Sequence, residues 1–258
     1  ALASNPAAAA AGRKILEAGG NAVDGAVAMA AAQTVAEPTS NGLGSDLFAI
    51  ISTGGKLYGY NGSGKSPAAI SLAAVKERGY EAMPLYGIES VGVPGAVRAW
   101  ADIHKKHGRL PFKDVLAPAI EYAEKGFVLS PTVARLWAME LEKRKANTAT
   151  VYDGFWATFS EKGRAPEAGD ILRLPHHART LRAIAEDGGK SFYEGEIAKK
   201  IDTFMKAHDG FMRAEDLKKH ETLEVEPLSA TFRDTEVWEL PPNGQGITVL
   251  MALKILSR

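Results

Sequence analysis

The chain has 258 residues, of which 45% are apolar and 24% charged, and its 31 basic side chains balance 31 acidic ones. This length suffices for one large domain with a buried core, and a neutral chain lacks the long-range field that attracts nucleic acid. The absence of cysteine excludes a disulfide framework, a thiolate zinc site and a cysteine nucleophile.

Two helices rich in small residues are predicted at the start of the chain. Asn5 caps a helix that begins at Pro6 and stops at Gly19-Gly20, and Asn21 caps a second helix that ends at Glu37-Pro38. The second helix is apolar on nearly every face, so we expect it to be buried.

The N-terminal residues lack a basic segment before an apolar core, which argues against an intact signal peptide. The sequence also contains no apolar run of about 18 residues, the length that indicates a membrane span. We therefore expect a soluble protein, either cytoplasmic or exported with its signal already removed.

Two strands and several helices follow. Leu47–Ser52 and Lys56–Asn61 form a predicted hairpin, and the first strand is apolar enough to lie between two layers. Residues Gly87–Gly95 are predicted to form a strand that leads into a helix at Pro94. Helices are predicted at Leu72–Arg78, Ala96–His107, Phe112–Lys125, Pro131–Lys145, His176–Glu186, Gly195–Ala207 and Ala214–Lys218.

The remainder of the chain predicts little regular structure before its final elements. Asn147–Asp170 has the composition of a long surface excursion. Strands are predicted at Leu223–Arg233 and Glu236–Leu240, and the loop Pro241–Gly246 opens a last apolar helix. No internal repeat or linker divides the sequence, so residues 1–258 are predicted to form a single domain.

Two glycine-rich loops are candidates for ligand contact. Gly42-Leu43-Gly44 lacks the third glycine of a dinucleotide fingerprint, and either crosses tightly from helix to strand or closes one wall of a pocket. The stretch Asn61-Gly62-Ser63-Gly64-Lys65 lacks Walker A spacing. It is either a simple turn at a strand end or a substrate-binding edge. In the second case its N–H groups, hydroxyl and cation could hold a carboxylate.

The other polar motifs favour structural roles. The pairs His176-His177, His104 with His107, and Glu121 with Glu124 are expected on solvated faces, because each pair lacks further metal ligands at a suitable spacing. Gly92-Val93-Pro94-Gly95 has the composition of an architectural turn. No Gly-x-Ser-x-Gly elbow occurs. We expect neither a metal nor a cofactor.

Four blocks in order resemble the large subunit of the gamma-glutamyltranspeptidase family. The first includes NAVDGAVAMAAAQTVAEPTSNGLGSDLFAI and the second begins SVGVPGAVRAW. Together the blocks cover Ile15–Ile50, Ser90–Pro131, Gly169–Ile201 and Gly210–Gly246. The resemblance implies an α+β fold of the N-terminal-nucleophile hydrolase type, an αββα sandwich to which this chain contributes the helix-rich large-subunit part.

The resemblance also implies a mechanism. A precursor cuts itself before a threonine, which becomes the N-terminal nucleophile of a small subunit and forms an acyl-enzyme with a gamma-glutamyl group. The acyl group then passes to water, an amino acid or a peptide. This chain stops before the segment in which the cleavage site would fall, so no catalytic residue is assigned here. The implied partners are the small subunit and a gamma-glutamyl amide such as glutathione.

One position departs from the family pattern. Well-known members bind the substrate carboxylate with an arginine four residues before a proline, and counting back from Pro67 that position is Ser63. Serine cannot form a bidentate ion pair, so Lys65 or another group must bind the carboxylate, or the acyl group differs. The predicted substrate-binding residues are Asn61, Ser63, Gly64 and Lys65. Alternatives are a glutaryl or cephalosporin-type acylase on the same machinery, and a catalytically inactive paralogue.

Overall fold

The computed structural model describes residues 1–257, an α+β structure in which helices dominate. Its helices are α1 (Pro6–Glu17), α2 (Ala22–Ala36), α3 (Leu72–Glu77), α4 (Ala96–His107), α5 (Phe112–Lys125), α6 (Pro131–Arg144), α7 (Asp153–Phe159), α8 (Pro175–Asp187), α9 (Lys190–Glu194), α10 (Glu196–Ala207), α11 (Ala214–Lys218) and α12 (Gly246–Leu256). Its strands are β1 (Leu47–Thr53), β2 (Lys56–Gly62), β3 (Phe127–Val128), β4 (Ile171–Leu172), β5 (Leu223–Val225), β6 (Leu228–Phe232) and β7 (Thr235–Glu239).

The two N-terminal helices begin as predicted. The Asn5 side chain accepts a hydrogen bond from the Ala7 N–H, and Asn21 forms a capping box with Asp24 at the start of α2. The Asp24 carboxylate is fully buried and also accepts hydrogen bonds from the backbone N–H groups of Arg109 and Leu110. One carboxylate therefore fixes both the start of α2 and the chain that follows α4.

Helix α2 is central to the core, as its composition predicts. It packs against α1, α4 and α5, and α5 in turn packs against α8. Small side chains allow this close packing from several sides, and Ala28, Ala31 and Val35 are completely buried. Trp100 of α4 and Leu116 of α5 are large side chains buried in the same core.

A three-stranded antiparallel sheet in the order β1-β2-β5 carries the candidate site at one end. The register pairs Leu47 with Gly62 and Asn61 with Leu223. The expectation that β1 lies between two layers is wrong within the described residues. Phe48 and Ile50 on its outer face are 45% and 39% exposed, because no element of residues 1–257 covers that face.

Other sequence predictions need correction. Gly87–Gly95 forms turns and loop, not a strand, and Gly87 has a φ of 126° that a regular strand does not accommodate. The predicted strand Leu223–Arg233 divides into β5 and β6 around Pro227, which has no N–H to donate to a ladder. The Asn147–Asp170 excursion contains a 3₁₀ turn and α7. The strands β3 and β4 and the helix α9 were not predicted.

No helix within residues 1–257 combines the length and the apolar character needed to cross a membrane.

Candidate functional site

Three side chains form a closed hydrogen-bonded ring where β2 ends. The Asn61 side-chain oxygen accepts from the Ser63 backbone N–H at 2.9 Å and from the Ser63 hydroxyl at 2.7 Å. The Asn61 Nδ2 donates to Asn243 Oδ1 at 2.7 Å, and Asn243 Nδ2 donates to Ser63 Oγ at 2.8 Å. This Asn61–Ser63–Asn243 ring joins the end of β2 to the loop that opens α12.

Close backbone packing supports the residues next to the ring. A Cβ atom on Gly64 would lie 1.6 Å from the Val93 carbonyl oxygen, and one on Gly95 would lie 1.9 Å from the Gly62 carbonyl oxygen. The Val93 N–H donates to the Lys65 carbonyl at 3.0 Å. Glycine is therefore required at both positions, because no side chain fits between the two segments.

The turn at residues 92–95 is also fixed to the loop before β1. The Ser45 carbonyl accepts from the N–H groups of Gly95 and Ala96, at 3.1 Å and 2.8 Å. The glycine loop Gly42-Leu43-Gly44, the end of β2 and the residue 92–95 turn thus meet at one corner of the fold.

The charged groups at this corner are Lys65 and Asp46. Lys65 is exposed, and no carboxylate within residues 1–257 forms an ion pair with its ammonium group. Asp46 is also exposed, and its Oδ1 accepts from the Gly64 N–H at 2.8 Å. The corner therefore presents a cation, held on a rigid backbone, to the solvent.

A buried histidine lies behind the corner, and sequence reasoning missed it. His220 is 3% exposed and stacks on the Tyr193 ring, with ring centroids 5.7 Å apart. Burial lowers the pKa of His220, and the positive charges of Arg98 and Lys65 lower it further. His220 is therefore held neutral beside the cation of the candidate site. Its sequence context, between lysines and a glutamate, gave no signal of burial.

Tyr193 fastens the turn from the inside. Its hydroxyl donates to the Pro94 carbonyl at 2.9 Å and accepts from the Arg98 N–H at 2.9 Å. Burial raises the pKa of the Tyr193 phenol, so this donor stays protonated. The Pro94–Gly95 corner is consequently anchored to α9 and α4.

An open groove adjoins the corner at Gly44 and Pro94. Its volume is about 570 Å³, and Gly44 and Pro94 are the lining residues that also belong to the corner. Ile88, Phe204 and Met212 give the rest of its wall an apolar character. The pocket-wall alternative for the Gly42-Leu43-Gly44 loop is consistent with this position of Gly44.

His104 and His107 do not lie on a solvated face, contrary to the sequence-based expectation. His104 is half-buried, and its Nε2 lies 3.3 Å from the Asp24 carboxylate and 2.9 Å from the Leu110 carbonyl. His107 Nε2 lies 2.6 Å from the Tyr60 hydroxyl. Both histidines therefore join α4 to neighbouring elements, because the helix turns them toward the core side.

The remaining polar pairs are closer to expectation. His176 is exposed, whereas His177 is half-buried against Phe159. Glu121 forms ion pairs with Lys14 and Lys125 that lower its pKa to about 2, and Glu124 pairs with Arg182. Within residues 1–257, no group of three histidine, aspartate or glutamate side chains is placed to hold a metal ion.

The predicted substrate-binding residues are brought together, but they differ in what they offer a ligand. Asn61 and Ser63 satisfy each other and Asn243, so their polar groups are largely occupied. The Gly64 N–H is occupied by Asp46. Lys65 alone among the four presents an exposed charged group. Asn243 was missed, although its Pro-Pro-Asn-Gly loop was an available signal of a specific turn.

Comparison with known proteins gives a consistent result. The family model described as gamma-glutamyltranspeptidase matches residues 8–258. The glutathione hydrolase-like YwrD proenzyme of Bacillus subtilis is 37% identical over 250 residues, which are 96% of this chain and 46% of that protein. The chain thus spans about half the length of the curated relatives it matches.

Solved structures show the same fold. The cephalosporin acylase from Bacillus halodurans aligns with a TM-score of 0.97 at 50% identity, covering 98% of this chain and 48% of the acylase chain. The gamma-glutamyltranspeptidase of Helicobacter pylori aligns with a TM-score of 0.91 at 27% identity, covering 100% of this chain and 74% of that chain. The predicted fold class is confirmed: the chain has the α+β fold of the N-terminal-nucleophile hydrolases, of which it forms a helix-rich part.

Proposed function

This chain belongs to the gamma-glutamyltranspeptidase family, and we propose that it is the large-subunit part of an autoprocessed acyl hydrolase or transferase. The proposed substrates are gamma-glutamyl amides such as glutathione. The observation that carries this proposal is the corner around Lys65. It presents a cation on a rigid backbone. Nearly all of this chain aligns with its relatives, but it covers only about half of their length.

The division of labour follows from this arrangement. The chain supplies part of the acyl-binding edge, and the proposed second subunit supplies a threonine whose α-amine acts as its own general base. An α-amine is suited to this task because its ordinary pKa, near 8, lies close to neutral pH. The threonine hydroxyl attacks the carbonyl carbon of the substrate amide. The amine portion of the substrate leaves with the transferred proton, and the acyl group remains on the threonine as an ester. Water, an amino acid or a peptide then accepts the acyl group.

Lys65 is the proposed partner of the acyl carboxylate. An ammonium group binds a carboxylate as a point charge, without the planar fork of a guanidinium. The Lys65 backbone is fixed by the bond from Val93, so the ammonium group moves only through its own side-chain torsions. Asn61, Ser63 and Gly64 complete the proposed edge by shaping the backbone from which Lys65 projects.

Two exposed apolar surfaces are consistent with a second subunit. The outer face of β1 exposes Phe48 and Ile50, and β1 is an edge strand of its sheet. Helix α12 exposes Met251, Ile255 and Leu256 by 59%, 67% and 71%. Exposed apolar area of this kind is typical of an interaction surface. In this arrangement residues 1–258 form one domain, whose buried core runs from Ala8 to Leu217, and the second subunit completes it.

A second candidate is an acylase with a glutaryl or cephalosporin-type substrate. The observation that favours it is Ser63 at the position where well-known family members have an arginine. The 50% identity to the Bacillus halodurans cephalosporin acylase also supports this alternative. An inactive paralogue is a third candidate, and an autoprocessing test separates it from both enzymes.

The deciding experiment uses the full-length precursor. Spontaneous division into two bands on a denaturing gel is expected for either enzyme, and an intact single band together with no hydrolysis would reject both. Parallel assays with gamma-glutamyl and glutaryl p-nitroanilides then distinguish the substrates. A preference for the glutaryl compound favours the acylase.

The role of Lys65 is tested in the same assay. Lys65→Ala is expected to raise KM for the acidic acyl donor by about tenfold or more, equivalent to ~1.4 kcal/mol of lost binding. Self-cleavage should be unaffected. Lys105→Ala is a matched control because Lys105 is an exposed lysine near the C-terminal end of α4, whereas the candidate site adjoins the N-terminal end of that helix. An unchanged KM for Lys65→Ala would remove Lys65 from the site.

A further inference from the structure

The Asn61–Ser63–Asn243 ring connects two parts of the chain that are far apart in sequence. Asn61 lies near the end of β2 and Ser63 directly follows that strand, whereas Asn243 is separated from them by 182 and 180 positions. Asn243 lies in the loop immediately before α12, whose first residue is Gly246. A side chain from this loop therefore decides how the end of β2 is held.

The hydrogen bonds of the ring are complementary in direction. Asn243 accepts from the Asn61 amide and donates to the Ser63 hydroxyl, while that hydroxyl donates to the Asn61 oxygen. Only an asparagine-like side chain at position 243 offers an acceptor and a donor on one planar group of this size. Asn61 is 8% exposed, so loss of its partner would leave a buried donor without compensation.

The ring adds no charge to the edge. Its three side chains are neutral, and Ser63 lies two residues before Lys65. The Asp46 carboxylate accepts a hydrogen bond from the N–H of Gly64, the residue between Ser63 and Lys65. A neutral, fully paired ring leaves the Lys65 ammonium to meet an anionic group without competition from the Asn243 side.

We propose that Asn243 is a positioning residue of the acyl-binding edge, which orders Ser63 and thereby sets the direction from which Lys65 meets an acidic acyl donor. This inference rests on the proposed function. It adds a residue from the α12 loop to a site that sequence motifs confine to positions 61–65. The ligand class is an acyl amide with a terminal carboxylate.

The test measures KM and kcat of the processed full-length enzyme with glutaryl and gamma-glutamyl p-nitroanilides. Asn243→Ala is expected to raise KM about fivefold with little change in kcat, which corresponds to ~1 kcal/mol of lost binding free energy. Gln245→Ala is the matched control, since Gln245 is exposed in the same loop and its side chain makes no capping hydrogen bond. Its KM should equal that of the wild type.

Two further variants separate positioning from general stability. The double variant Asn243→Ala with Ser63→Ala should raise KM little more than either single change, because both remove the same ring. Asn243→Asp keeps the acceptor but adds a negative charge beside Ser63, which lies two residues before Lys65. It should raise KM more than Asn243→Ala does, and the excess should shrink as salt is added.

The outcomes distinguish this inference from the function on which it rests. If Asn243→Ala lowers the melting temperature but leaves KM at the value of the Gln245→Ala control, the positioning role is wrong while the enzyme reading stands. Additive effects of the two alanine changes would also overturn it. A wild-type precursor that neither divides nor hydrolyses either anilide would overturn both proposals.

Discussion

Replacing Gly64 by alanine is expected to disrupt the candidate site more than its small size suggests. The new Cβ would lie 1.6 Å from the Val93 carbonyl oxygen and 2.7 Å from the Val93 carbonyl carbon. Both contacts are with backbone atoms, which cannot move aside by changing a side-chain rotamer. The two segments that form the corner must therefore separate.

The size of the effect follows from these distances. To increase the separation from 1.6 Å to 3.0 Å, below which real Cβ contacts are essentially never found, the segments must part by about 1.4 Å. This displacement strains the bond from the Val93 N–H to the Lys65 carbonyl and the bond from the Gly64 N–H to Asp46. Overpacking of this kind typically costs about 1–3 kcal/mol, and each lost hydrogen bond adds roughly 0.5–1.5 kcal/mol.

The assay combines thermal unfolding with kinetics on the full-length protein. The overpacking cost of about 1–3 kcal/mol alone corresponds to a melting temperature lowered by roughly 2–12 °C in a domain of about 150–250 residues, and each lost hydrogen bond lowers it further. KM for the acidic acyl donor should rise as well, because Lys65 moves with Gly64. Gly154→Ala is the matched control, since Gly154 is exposed in α7 and a Cβ there meets no atom within 4 Å. A Gly64→Ala protein with wild-type melting temperature and KM would show that the two backbone segments accommodate the methyl group without separating.

Two further predictions concern stability. Asp24→Ala should lower the free energy of unfolding by about 3 kcal/mol or more in urea titrations, because it strips the backbone N–H groups of residues 21, 109 and 110 of their shared acceptor; a loss below about 1 kcal/mol would contradict this. Burial lowers the pKa of His107, His177 and His220 below the usual 6.5. The unfolded chain therefore binds more protons than the folded chain below about pH 6.5. The free energy of unfolding should fall as the pH drops from there toward the pKa values of the folded protein. Urea titrations at pH 7.5 and 5.5 test this, and His220→Phe should weaken the pH dependence; an equal dependence in that variant would exclude a contribution from His220.

The Asn61–Lys65 stretch of the candidate site could be located from sequence, but the contacts of Asn243 and the burial of His220 could not. The Asn61–Lys65 stretch was recognisable because glycines flank polar residues at the end of a predicted strand. That Asn61 and Ser63 are occupied by Asn243 was not visible, since the hydrogen bonds join residues separated by 180 positions or more. His220 escaped notice for the same reason, because its burial depends on Tyr193 and on the Gly95 turn.

The errors in the fold have related causes. Residues 87–95 have the apolar character of a strand, but the only backbone bond from Val93 goes to Lys65, and no neighbouring strand pairs with the segment. His104 and His107 stand among lysines on α4, yet the packing of that helix directs them toward Asp24 and Tyr60. Local composition indicates the propensity of a segment for helix or strand. The conformation of residues 87–95 and the positions of His104 and His107 depend instead on which distant residues lie next to them in the fold.

Local sequence patterns were sufficient to identify the family and most of the helices. Short stretches of sequence are enough to recognise the helix caps at Asn5 and Asn21 and the small-residue surface of α2. The same holds for the presence of glycines at positions 62, 64 and 95. What those glycines serve follows from the three-dimensional packing: the end of β2 and the 92–95 turn pack backbone against backbone, and the Asn243 side chain joins the α12 loop to the same corner. Contacts of that kind arise from the folding of distant segments, so local sequence patterns do not reveal them.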